Sequence, residues 1–242
     1  MKNIYISGAS SGLGKFLFKN IKNIKNIKNI KKFYRNKKNN IKKNSILIHA
    51  AFFKKKNNES KKNFEINKQQ TLSLYKKIKK YNFETIILIS TIDIYKSDSS
   101  KNSYIVLKKK LETEIKKRTN FYIFRCALFI GKYMSKKNSV YKLIRAKSKT
   151  KIPLSKKSSC YLTSYKDLLT AINKIIEQKK IKNDIYNLVT KKKIYFKNSE
   201  NKNILFGNYQ LNYKKINNTK FEKNFQIKTQ RVSKLIKEIE KI

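Results

Sequence analysis

Ile4-Tyr5-Ile6-Ser7-Gly8-Ala9-Ser10-Ser11-Gly12-Leu13-Gly14 runs from an apolar stretch through a glycine turn into a new periodic segment. Three of the five glycines in the 242-residue chain lie here. Ordinary usage of ~7% would place roughly 17 glycines in a chain of this length, so glycine survives where another residue would fail. The stretch reads as a strand, a tight turn and a helix start, which aims backbone N–H groups and the positive end of a helix dipole at a pyrophosphate. Gly8 then permits the turn, Gly12 lets phosphates approach the backbone, and Gly14 lets the helix pack closely on the strand. Gly8, Ser10, Ser11, Gly12, Leu13 and Gly14 form the candidate dinucleotide cradle; the plain alternative is any strand-turn-helix of an α/β protein.

Outward from the turn, residues 15–26 read as a helix with Phe16, Leu17 and Ile21 available to a sheet. The Ile-Lys-Asn triplet repeats through Ile21, Ile24, Ile27 and Ile30. A spacing of three slips about 60° per step on a 3.6-residue helix, so the repeat reads as low-complexity drift. Lys32-Phe33-Tyr34-Arg35 reads as a second strand, and residues 36–44 are too polar for more than a loop. Ser45-Ile46-Leu47-Ile48 has the uniformly apolar character of a strand buried on both faces, and His49-Ala50-Ala51 ends it. A helix over 67–80, a strand over 85–90, a helix over 104–118 and a strand over 121–125 follow. Strands alternating with helices predict an α/β fold, a doubly wound parallel sheet of Rossmann type with right-handed crossovers. Ligands in such sheets lie beyond the carboxyl ends of the strands. That edge gathers residues 8–14, His49, Ala50, Ala51, Ser90, Thr91 and the segment after Arg125.

Composition narrows the function classes. Lys and Arg number 61 against 14 Asp and Glu, a formal charge of +47, which ordinarily signals a nucleic-acid or anionic-membrane partner. Here only five of those cations are arginines, the residue whose fork reads bases. The charge is spread along the chain, amid Asn, Ile, Tyr and Phe, in the manner of an AT-rich coding sequence. A specific nucleic-acid role is therefore disfavoured, although salt-sensitive adhesion to polyanions remains a physical consequence. Cys126 and Cys160 are too few for a disulfide framework or a zinc site, which fits a reducing cytoplasm. No apolar run approaches the length of a membrane span or a signal peptide.

Thr91 closes one strand, and Tyr104 follows 13 residues later with Lys108 at i+4, on the same helix face. A lysine there favours the phenolate form of the tyrosine. A Thr91 hydroxyl can hold a substrate oxygen while Tyr104 gives or takes its proton, with hydride passing to or from a nicotinamide. Fifteen tyrosines among so many lysines produce Tyr-x-x-x-Lys by chance; what distinguishes this one is its place after the glycine turn, the small residues and the hydroxyl.

In that order the chain resembles the short-chain dehydrogenase/reductase superfamily, especially its extended branch of epimerases, dehydratases and nucleotide-sugar reductases. His49-Ala50-Ala51 is similar to the branch's small-residue motif beside the cofactor. Asn67 with Thr71 resembles its Asn-x-x-x-Thr helix start, and Ser90-Thr91-Ile92-Asp93-Ile94-Tyr95 its active-site strand. Glu112, four residues beyond Lys108, also fits. Arg125-Cys126-Ala127-Leu128-Phe129-Ile130-Gly131 resembles Arg-Pro-x-x-x-Tyr-Gly with Cys for Pro. Asp167-Leu168, Asp184-Ile185-Tyr186-Asn187-Leu188, and Thr219-Lys220 with Asn224-Phe225 are similar to later elements of the branch.

The resemblance implies a catalytic set of Thr91, Tyr104, Lys108 and Asn67. It implies cofactor contacts from the glycine turn, Arg35, His49, Ala50, Ala51, Ser90, Tyr104 and Lys108. The implied organisation is a dinucleotide-binding domain over 1–131 and a small substrate-capping region over 132–242, part of which, about 160–190, packs back on the first. The implied substrate is a nucleotide sugar or related carbonyl compound, and a homodimer through the helices bearing Asn67 and Tyr104 is allowed. Departures matter too. The spacing Gly-x3-Gly-x-Gly and the short gap from Thr91 to Tyr104 belong to the compact branch, and most of a third strand and its helix are missing between Arg35 and Ser45. Asn40-Ile41 stands where an Asp-Leu/Ile pair would contact adenine. Ile92-Asp93 replaces the Asp-Glu of dehydratases, which leaves reduction or epimerisation. Arg35, with Lys37 and Lys38 nearby, suits a 2′-phosphate, so NADP is favoured over NAD. A cofactor-binding protein of the same fold without catalysis is the alternative.

Overall fold

The computed structural model describes all residues except 22–25, 35–37, 52–60, 97–101, 132, 178–179 and 241–242, and describes 61–64, 67 and 103 without their side chains. In chain order the elements are β1 (Lys2–Ser7), α1 (Gly12–Asn20), β2 (Ile27–Phe33), β3 (Ser45–His49), α2 (Lys61–Lys79), β4 (Thr85–Thr91), α3 (Ser103–Ile115) and β5 (Phe121–Cys126). There follow β6 (Leu128–Ile130), α4 (Ser139–Arg145), β7 (Thr150–Leu154), β8 (Ser159–Cys160), β9 (Leu162–Ser164), α5 (Tyr165–Ile176), β10 (Asp184–Leu188), β11 (Ile194–Tyr195), β12 (Ile204–Tyr209), α6 (Thr219–Phe225) and α7 (Val232–Glu240). Two compact units result: Met1–Arg125 with Ile172–Ile185, and Cys126–Ala171 with Tyr186–Ile242.

The first unit is built on a six-stranded sheet in the order β10-β5-β4-β3-β1-β2. The pairs β1–β2, β1–β3 and β3–β4 are parallel, and helices flank the sheet in the doubly wound manner of a Rossmann fold. Ile4, Ile6, Leu47 and Ile48 are wholly buried, as uniformly apolar central strands require. Tyr5, Leu47, Ile86 and Leu88 share a core with Leu74 and Ile78 of α2 and Leu111 and Ile115 of α3. Ser7 lies opposite His49, and His49 opposite Leu88. The carboxyl ends of β1, β3 and β4 therefore come out at one edge.

Two sequence expectations are corrected. The helix after the glycine turn ends at Asn20 rather than near 26, and the second strand is Ile27–Phe33 rather than 32–35. Part of the Ile-Lys-Asn repeat is thus a strand. Its alternation is poor, with Ile27 and Ile30 half-buried and Lys28, Lys31 and Lys32 exposed. Pairing with β1 holds it nonetheless, aided by Asn29 Nδ2 donating to Asn3 Oδ1 at 3.2 Å. Tertiary pairing overrides a weak local pattern of this sort.

As expected, residues 38–44 form neither helix nor strand, and β2 is the edge of the sheet. Side chains fasten this loop. The Tyr5 hydroxyl donates to Asn40 O at 2.7 Å and accepts from Lys42 N at 3.3 Å. Asn39 clasps Tyr34, donating to its carbonyl at 2.8 Å and accepting from its amide at 2.9 Å. Edge-to-face contacts among Tyr5, Phe33, Tyr81 and Phe83 fill the space beneath.

In the second unit, by itself, three two-stranded sheets (β11-β8, β12-β7, β6-β9) surround a core that includes Ile152, Leu162, Phe196, Leu235 and Ile239. Cys126 and Cys160 are buried. Among the described residues, no helix is long and apolar enough to cross a membrane.

Candidate active site

The glycine turn is built by close approach. Gly8 has φ +76°, and a Cβ there would come within 3.0 Å of Ala51 Cα; a Cβ on Gly14 would lie 2.1 Å from Gly8 O. Both positions exclude larger residues, for conformational and steric reasons. Gly12 differs: its φ is +48°, and a Cβ on it would meet nothing within 4 Å. It faces open space at the start of α1. Ser11 at the N-cap makes no side-chain bond to the helix, and the first turn carries no acidic residue. The amides of Gly12, Leu13 and Gly14 precede the bond from Lys15 N to Ser11 O at 3.1 Å. Backbone donors of a first helical turn, which have no partner within the helix, a positive helix end and room above Gly12 fit a phosphate group.

Ser7 ties this turn to the end of β3. Its hydroxyl lies 2.7 Å from His49 Nδ1 and accepts from Ala51 N at 3.2 Å. His49 is 1% exposed. Burial, reinforced by the positive charge of Lys108, lowers its pKa to about 3, so the imidazole is neutral. The side chain thus braces Ser7 from within the fold, while the half-buried Ala50 and Ala51 lay their backbone against Gly8 of the turn. Ser7 was not among the sequence candidates, and only its position just before the first glycine could have marked it.

The second half of the site lies on α3. Asn102 caps that helix, accepting from the amides of Tyr104 at 3.0 Å and Ile105 at 3.3 Å. Asn102 was missed in the sequence, although an Asn ahead of a periodic segment is a recognised helix start. Tyr104 stands half-buried in the first turn, with the Lys108 ammonium 5.8 Å from its ring centroid. Lys108 is buried and donates to Ile89 O at 2.8 Å. Because Ile89 is two residues before Thr91, this bond pins the Tyr104 face of α3 to the end of β4. Thr91 is buried, and its Oγ1 accepts from Asp93 N at 3.1 Å, capping a short 3-10 turn over Ile92–Tyr95.

One further turn along α3, Glu112 accepts from Ser90 Oγ at 2.5 Å and from Arg125 of β5 through Nε and Nη2 at 3.2 and 2.6 Å. Arg125 Nη1 also donates to the Tyr95 hydroxyl at 2.7 Å. The structure thus brings together the glycine turn, His49, Ala50 and Ala51, and separately gathers Ser90, Thr91, Tyr104 and Lys108 around the end of β4. Asn67 lies in α2, its side chain outside the described residues, and Arg35 and Lys37 lie outside them too. Thr71, one turn after Asn67, is buried with its Oγ1 lacking a partner among the described residues.

No family model matches the chain, and no curated protein sequence does. Solved structures do match. RMD from Pseudomonas aeruginosa complexed with NADPH aligns with a TM-score of 0.74 at 13% identity, over 99% of this chain and 97% of that one. MoeE5 in complex with UDP-glucose and NAD gives 0.77 at 13%, over 98% and 97%. UDP-glucuronic acid 4-epimerase from Bacillus cereus, in complex with UDP-glucuronic acid and NAD, gives 0.73 at 14%, over 100% and 99%. The chain has the fold of these proteins along its whole length.

Proposed function

We propose that this chain is a nicotinamide-dinucleotide-dependent reductase or epimerase of the short-chain dehydrogenase/reductase type, acting on a nucleotide sugar or a related carbonyl compound. The observation that carries this reading is the bond from Lys108 to Ile89 O, which sets the face of Tyr104 and Lys108 against the strand end that bears Thr91. Structures of like fold hold NADPH or NAD, and some hold UDP-sugars.

The glycine turn and the start of α1 would hold the pyrophosphate, Ala50 and Ala51 would wall it, and Lys108 would hold the ribose side. A bound nicotinamide supplies hydride acceptance and return. Thr91 then donates to the substrate oxygen while Tyr104 takes or returns that oxygen's proton, and the ammonium of Lys108 stabilises the phenolate between the two events. NADP is favoured over NAD because Arg35, Lys37 and Lys38 follow β2 in the sequence, and cations there suit a 2′-phosphate.

Binding of NADPH and NADH followed by nucleotide fluorescence, with Gly12→Asp as control, tests the cradle. The variant's Cβ would meet nothing within 4 Å, and the left-handed backbone at φ +48° costs it some stability. The added carboxylate repels the phosphates, so binding is lost in a protein whose folding is checked by circular dichroism. Turnover over a panel of nucleotide sugars, parent against Tyr104→Phe, tests the chemistry. Loss of a general acid–base group lowers kcat by about 10²–10⁴-fold; equal rates would refute the assignment. The second reading, a binding protein without catalysis, draws on the sheet ending at β2. It requires NADPH binding with no turnover in the parent.

A further inference from the structure

We propose that Glu112 is a positioning residue that orients the Thr91 hydroxyl from both sides, through Ser90 and through an Arg125–Tyr95 pair. This rests on Thr91 being the hydroxyl that meets the substrate.

Thr91 Oγ1 accepts from the Asp93 amide. A hydroxyl has one donor and two acceptor sites, so accepting from the backbone directs its own proton elsewhere and strengthens it as a donor. That orientation lasts only while the turn over Ile92–Tyr95 holds.

The far end of the turn is Tyr95, a residue 40% exposed. Its hydroxyl accepts from Arg125 Nη1 at 2.7 Å, and the guanidinium carbon lies 5.1 Å from the ring centroid. Arg125 comes from β5, the strand beside β4. Its remaining edge is held by Glu112, whose Oε2 accepts from Nη2 at 2.6 Å and whose two oxygens both accept from Nε at 3.2 Å. The same carboxylate takes the Ser90 hydroxyl, one residue before Thr91. One carboxylate thus holds the residue preceding Thr91 directly and the end of the turn following it through Arg125.

Stability alone does not call for this arrangement. A buried ion pair contributes little over well-packed apolar residues, and the Glu112 side chain is only 4% exposed. Direction is what the network adds. Glu112 also shares its α3 face with Tyr104 and Lys108, at successive steps of four, so one helix carries the proton-transfer phenol, the lysine and the anchor of the hydroxyl.

Tyr95→Phe is the informative variant, because it removes one acceptor oxygen from a partly exposed ring and leaves the fold intact. It is made in the parent and in a Thr91→Ala background. In the parent kcat falls by about tenfold, the scale of a modest misplacement, while KM for NADPH is unchanged. With Thr91→Ala already present, Tyr95→Phe has no further effect. Hydrogen exchange at the Asp93 amide quickens in Tyr95→Phe, and Glu112→Gln shows the same two signatures more strongly. Losses that multiply in the double variant, or an Asp93 amide that exchanges at the parental rate in Tyr95→Phe, overturn the proposal. Should the parent turn over no substrate, the proposed reaction fails, and the exchange rate still decides whether Tyr95 and Thr91 are coupled.

Discussion

Two glycines four and six residues after the first serve opposite needs. Gly14 is glycine because the backbone of Gly8 occupies the place of a side chain, whereas Gly12 has open space around it and a φ of +48° that favours glycine. Gly14→Ala is expected to cost about 3 kcal/mol in chemical denaturation, the upper range for overpacking a tight contact. Gly12→Asp is expected to cost about 1 kcal/mol, from a side chain placed in the left-handed region, and to lose the dinucleotide. Sequence reading assigned close packing to Gly14 and phosphate approach to Gly12; what it could not supply is that the atoms crowding Gly14 belong to the turn itself, at Gly8 and Ala9. His49 illustrates the same limit. The resemblance implied a cofactor contact for His49 and for the two alanines alike; the fold buries the ring against Ser7 and leaves Ala50 and Ala51 half-buried.

Elements were legible wherever hydrophobic pattern was strong. The uniformly apolar strands around Leu47 and Leu88, and the helix that bears Tyr104, lie where their periodicity places them. The second strand was misplaced because its residues alternate poorly and it is held by its neighbour. At the start of α3 the local chemistry is simple. Asn102→Ala removes the acceptor of two amides and is expected to lower stability by about 1 kcal/mol, measured by thermal denaturation. Its effect on kcat is expected to exceed its effect on KM, because the first turn it loosens carries Tyr104.

For the whole molecule, charge and buried titrating groups set the solution behaviour. A formal charge of +47 disfavours the compact state through self-repulsion. The melting temperature is expected to rise as salt is raised from about 10 mM to about 150 mM, where the Debye length falls to about 8 Å.

Two buried groups, one in each unit, oppose each other in pH. Burial raises the Asp167 pKa from 3.8 to about 6, although its carboxylate accepts from Gln230 N at 2.9 Å. The folded state therefore holds that proton more tightly. The stability it lends is complete below pH 3.8 and is lost as pH rises through about 6. The His49 pKa falls from 6.5 to about 3, so the folded state refuses a proton that the unfolded chain takes, and stability is lost as pH drops below 6.5. Each slope is about 1.4 kcal/mol per pH unit, with opposite sign. Asp167→Asn, which keeps an acceptor for Gln230, is expected to gain on the parent as pH rises from about 4 to 6. His49→Asn is expected to gain as pH falls over the same range. Denaturation midpoints across pH check both.

The sequence by itself determined that strands and helices alternate, that a glycine turn opens the sheet, and that a hydroxyl, a tyrosine and a lysine follow in order, because these are matters of local pattern and spacing. Only the tertiary structure decided which side chains face the site. Burial of His49, the bond from Lys108 to Ile89, and the convergence of Ser90 and Arg125 on Glu112 join residues between 13 and 42 positions apart, and the forces that select them, desolvation and hydrogen-bond geometry, exist only once the strands are side by side.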